Sequence, residues 1–143
     1  MTSRALVTGL ALAGALAPMA SACGSGTRGT VDRSPSSAVR AFDATLVGAL
    51  CESLSLAPSD PGAAGTVFAD RAHERLHDLA RELEPEDRAL TGQLLEAKQA
   101  VEADLDAAGI PQDTAELAAD LRRLADVTVA GLARLGVPVA GCP

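Results

Sequence analysis

The chain has no tryptophan and no tyrosine, and its aromatic side chains are Phe42 and Phe68 alone. Stacking platforms for bases or sugar rings are therefore missing. So are the Tyr- and Trp-centred anchors on which many protein-recognition hot spots are built. Lysine is reduced to Lys98, every other basic side chain being arginine. Acidic groups outnumber basic ones 19 to 12, for a formal charge of −7. That excess disfavours nucleic acid and anionic lipid head groups, which repel a negative surface. Alternation of apolar and polar residues, the mark of a half-buried strand, is absent apart from Val137-Pro138-Val139. No Gly-rich phosphate loop follows a strand. Histidine is confined to His73 and His77, and cysteine to Cys23, Cys51 and Cys142.

What is present starts with a leader. Arg4 precedes an apolar run from Ala5 to Ala17, and Pro18 and small residues follow to Ala22. A basic start, a short apolar stretch and a small-residue end make a secretory signal peptide over residues 1–22. The run is too short to cross a bilayer comfortably. The stretch Ala20-Ser21-Ala22-Cys23 resembles a lipobox, the processing signal of bacterial lipoproteins, with Ala20 where that family prefers leucine. The resemblance implies that Cys23 becomes the acylated first residue of the mature protein. Palmitate-type chains on Cys23 then form a membrane anchor at the outer face of the cytoplasmic membrane. Simple secretion, with the same bond cut and Cys23 left bare, is the alternative.

Cysteine parity supports the lipid. An odd thiol is a liability outside the cytoplasm, and a thioether on Cys23 leaves Cys51 and Cys142 as a pair. A disulfide between them closes a loop of about 90 residues, for which chain entropy predicts roughly 4–5 kcal/mol.

Residues 23–36 are rich in Gly and Ser and read as a flexible tether. Residues 37–143 read as one all-α domain. Helices are expected at 37–57, 61–83, 85–108 and 114–135. Their inner stripes are Val39, Phe42, Leu46, Leu50 and Ala57; Phe68, Ala72, Leu76, Leu79 and Leu83; Leu90, Leu94, Ala97, Val101 and Leu105; and Leu117, Leu121, Leu124, Thr128, Leu132 and Leu135. Asp60-Pro61 suits a helix start, as does Asp113 three residues before Glu116. Gly109, with Pro111 beyond it, and Gly136, with Pro138, suit helix ends. Short connections make sequential helices antiparallel, so the expected architecture is an up-down-up-down four-helix bundle.

One string carries chemistry. His73-Glu74-Arg75-Leu76-His77 matches H-E-x-x-H and resembles the helix of zincin-type zinc peptidases. The resemblance implies zinc on His73 and His77, Glu74 as general base, and Glu96 as a third ligand of the gluzincin kind. The surroundings point elsewhere. Arg75 and Asp78 stand where the family has uncharged residues, Glu96 lies about 160° from the Leu94 stripe, and the sheet edge that aligns a peptide has no candidate. A non-catalytic metal site, for zinc or copper, is the milder version, with Asp70 and Glu84 as further ligands along the same flank. The remaining reading is a solvated helix flank whose charges balance through Arg71, Arg75 and Arg81. The expected function is a non-enzymatic envelope lipoprotein that acts as a binding or accessory module for an envelope protein or a solute. Its cofactors are none, and a metal-binding lipoprotein and a small zinc peptidase stand as alternatives.

Overall fold

The structure is a computed structural model. It describes residues 37–106 and 113–143, with the side chains of the first helix described from Thr45 onward. The expectations for the leader, for Cys23, for the tether 23–36, for the side chains of Val39 and Phe42, and for the Gly109 and Pro111 stop lie outside the described residues.

Among the described residues the chain is all-helical, with no strand. The helices are α1 (Ser37–Leu56), α2 (Pro61–Arg71), α3 (His73–Leu83), α4 (Arg88–Asp106) and α5 (Thr114–Arg134). Local chemistry sets their ends. Asp60 accepts a hydrogen bond from the Ala63 amide at 2.9 Å, and Pro61 follows at the first helical position. The Asp113 carboxylate takes the Ala115 and Glu116 amides at 2.9 and 3.2 Å. Each bond satisfies an amide that the first turn leaves without a helical partner. Gly136, at φ 82°, ends α5. Its amide donates to Ala133 and the Val137 amide to Leu132, the two bonds of a Schellman motif.

Two expectations are adjusted. The helix expected from residue 85 starts at Arg88. Residues Glu84, Pro85 and Glu86 form a turn, and Asp87 accepts from the Leu90 amide at 3.0 Å. The helix expected over 61–83 is bent into α2 and α3 at Ala72, whose φ of −116° leaves the helical value. The side-chain sizes on either side of the bend explain it. α2 turns the small Ala64 inward, where Ser53 of α1 bonds its carbonyl, whereas α3 brings Leu76, Leu79 and Leu83 inward. The distance between packed helices follows the side chains at their contact, so one straight axis does not suit both halves.

The core is aliphatic. Leu46, Leu50, Leu76, Leu79, Leu83, Leu94, Leu117, Leu121, Leu124 and Leu132 are all buried, with Phe68 as the aromatic member. Burial of each such side chain stabilises the fold by about 1.5–3 kcal/mol. The apolar members of the expected stripes that are described are buried, except Leu90, Leu105 and Leu135, which are half-buried against the same core. The buried polar residues Ser53, Thr91, Lys98 and Thr128 are each hydrogen-bonded. Ser53 donates to the Ala64 carbonyl at 2.8 Å and ties α1 to α2, and Thr128 donates to the Leu124 carbonyl at 2.8 Å. Gly131 allows a close approach, because a Cβ there would lie 3.2 Å from Leu83 Cδ2.

The tail after α5 folds back onto α1. Cys51 and Cys142 form a disulfide, with sulfurs 2.13 Å apart and Cα atoms 5.2 Å apart. Arg122 donates to the carbonyls of Cys142 and Pro143.

Candidate functional site

The bend at Ala72 places His73 at the first position of α3, beside α4. The edge of its ring meets Phe68, with centroids 6.2 Å apart. His73 Nε2 lies 2.8 Å from Glu102 Oε1, and Nδ1 lies 3.2 Å from Glu74 Oε1. Lys98 Nζ lies 2.6 Å from the same Glu102 oxygen. The Lys98 side chain is only 4% exposed, against 30% for Glu102 and 33% for His73. The three groups form a file from the interior to the surface, with the carboxylate in the middle. Burial by itself raises the Glu102 pKa, but Lys98 and His73 outweigh it and hold the carboxyl below its ordinary value.

This file borders a cleft of about 490 Å³ between α2 and the end of α4. Gly62, Gly65 and Phe68 lie along α2, with Glu102, Leu105 and Asp106 opposite. His77 opens onto a different hollow. Its ring centroid lies 5.1 Å from that of His73, edge to face, yet it borders a smaller space of about 210 Å³ together with Glu84 and Thr91.

The residues singled out in the sequence are thus dispersed. His73 and His77 are adjacent, and Glu84 shares the hollow of His77 but stands 3.9 Å from Arg88. Glu74 is 85% exposed and, among the described residues, reaches His73. Glu96 pairs with Arg123 of α5 at 3.2 Å, and Asp70 is exposed on α2. Arg75 turns toward α1 and bonds Thr45, Arg71 pairs with Glu52 of α1, and Asp78 pairs with Arg81. Among the described residues, no three His, Cys, Asp or Glu side chains gather so as to hold a metal ion. Structural zinc takes four protein ligands and catalytic zinc three, so the donors among the described residues do not fit the zincin arrangement.

Glu102 and Lys98 are the members that sequence reasoning missed. A signal was there: Lys98 lies four residues after Leu94 and three before Val101, on the inner stripe, with Glu102 one turn on.

Compared with family models, with curated proteins and with solved structures, the chain has no match in any of the three.

Proposed function

We propose that the protein is a non-enzymatic binding or accessory module of the bacterial envelope, held by a lipid on Cys23 at the outer face of the cytoplasmic membrane. The observation that carries this reading is the Cys51–Cys142 disulfide. It consumes every cysteine except Cys23, and disulfides persist where the compartment is oxidising. The leader and the lipobox-like Ala20-Ser21-Ala22 supply the route. The proposal includes the helix course. α2 and α3 act as one bent arm, so that α1, the bent arm, α4 and α5 run up-down-up-down. The packing of α1 on α2, α3 on α4, and both α1 and α4 on α5 supports that course.

The deciding experiment replaces Cys23 by Ala and follows membrane and medium fractions in the expressing cell. Release of the variant into the medium is expected, and a variant as membrane-bound as the parent overturns the anchor. A second reading, a metal site on His73 and His77, is favoured by the 5.1 Å approach of their rings. Two imidazoles hold zinc weakly, so the expected affinity is no tighter than about micromolar. His77→Ala should abolish that binding and Glu74→Gln should leave it intact, both read by zinc titration.

A further inference from the structure

We propose that the cleft between α2 and α4 binds a small organic cation, an alkyl- or cycloalkylammonium. Its charge lies on Glu102 and its apolar body against Phe68 and Leu105. This inference rests on the binding-module reading and names the ligand class that the module takes.

The cleft exists because α2 is thin on this side. Gly62, Gly65 and Ala69 border it, and a Cβ at Gly65 would come 2.9 Å from Leu105 Cδ2. Small residues therefore let the two helix segments approach without filling the space between them. The walls that remain are apolar, as in most small-molecule sites, with a few convergent polar groups.

Those polar groups are mainly acceptors. Glu102 and Asp106 are carboxylates. Thr66 spends its hydroxyl proton on the Gly62 carbonyl at 3.0 Å, which leaves lone pairs for the cleft. His73 already turns Nε2 to Glu102. No lysine or arginine borders the cleft among the described residues. Lys98 stands behind Glu102, 4% exposed, where it fixes the carboxylate without meeting a ligand. An anion entering here faces two carboxylates, and the cation-forming side chains nearest to it, Lys98 and His73, are already engaged by Glu102. A neutral alcohol supplies a donor but no charge. An ammonium supplies both, and charge-assisted hydrogen bonds are about twice as strong as neutral ones.

The test uses full-length protein in a neutral detergent and isothermal titration at pH 7 and low salt. The probes are cyclohexylammonium, cyclohexanol and cyclohexanecarboxylate, each corrected for detergent alone. Saturable binding of the ammonium is expected, with the alcohol at least about tenfold weaker and the carboxylate silent. Glu102→Gln should weaken the ammonium by about tenfold or more. Gly62→Leu should block the mouth while the fold stays intact by circular dichroism, since a Cβ there meets only Asp60 Oδ1 at 3.7 Å. If Glu102→Gln fails to fold, Gly62→Leu decides. Absence of saturable ammonium binding, equal binding of the alcohol, or unchanged affinity in Gly62→Leu overturns the proposal. Fractionation of Cys23→Ala is unaffected by any of these results, so the site and the envelope reading fail separately.

Discussion

Lys98 is held on α4 at a place that apolar residues occupy one turn to either side, Leu94 before it and Val101 after it. A buried ammonium is tolerated only with a partner, because an uncompensated charge in the interior costs about 3–5 kcal/mol. The roles in the Lys98–Glu102 pair are therefore unequal. Glu102→Ala strands a buried cation and should destabilise by about 3 kcal/mol in urea unfolding. Lys98→Met should cost less than about 1 kcal/mol, because Glu102 keeps His73 and water. Glu102 and Asp104 also pull the acid response in opposite directions. The Glu102 pKa is lowered in the fold, so its contribution is present above the unfolded value and is lost as pH falls through the folded one. Asp104 is raised, first by burial and then by Asp120, Glu116 and Asp113, and its Oδ2 has no hydrogen-bond partner among the described residues. Its contribution is complete at low pH and is lost as pH rises through its folded pKa, so at neutral pH its charge is a cost. Asp104→Asn should therefore stabilise the protein at pH 7 by about 0.5–1 kcal/mol, and the gain should vanish in acid. The lone lysine was visible in the sequence, but a stripe read from its apolar letters alone passes over it. The meeting of Glu102 with His73 was not visible, because it depends on how α3 and α4 are set against each other.

Helix ends are the most legible elements of this chain, because the caps are made within a few residues. Asp60, Asp113 and Gly136 each do what their neighbours in sequence predict. Gly136→Ala should cost about 1 kcal/mol, since a Cβ is disfavoured at its φ of 82°. Asp113→Ala should cost about the same, by loss of the carboxylate that accepts from two amides at the start of α5. Both are read from thermal or denaturant unfolding, and either change within error of the parent removes the cap from the account. The bend at Ala72 is the element-scale feature that local reasoning could not reach. No Pro or Gly marks it, and Phe68, Ala72 and Leu76 continue one inner stripe straight through. The bend goes with packing distance, set by the small Ala64 beside α1 and by the leucines of α3 facing the core, and that distance belongs to the assembled helices. The Ser53 hydroxyl on the Ala64 carbonyl is of the same kind, a tie between helices that only assembly reveals.

For the whole molecule, the long-range constraint is the Cys51–Cys142 bond, which closes a loop with a sequence separation of 91. It was legible because the expectation of a lipid on Cys23 left only one pair, whatever path the tail took. A loop of this length restricts the unfolded chain by about 4–5 kcal/mol in the chain-entropy account. In the folded protein the bond is not the tail's only hold. Val137 is buried, Val139 is half-buried against the core, and Arg122 grips the last carbonyls. Removal of the bond should therefore leave the helices assembled at room temperature while the unfolding midpoint falls. For a domain of this size about 1 kcal/mol corresponds to roughly 3–6 °C, so a loss of ten degrees or more is expected for Cys51→Ser with Cys142→Ser. Circular dichroism of parent and double variant measures both halves of the statement. Unchanged helicity with a lowered midpoint is the expected result. An unchanged midpoint, or recovery of both thiols unlinked after trapping in the protein isolated from the expressing cell, would remove the staple, and with it the strongest support for the proposed extracytoplasmic address.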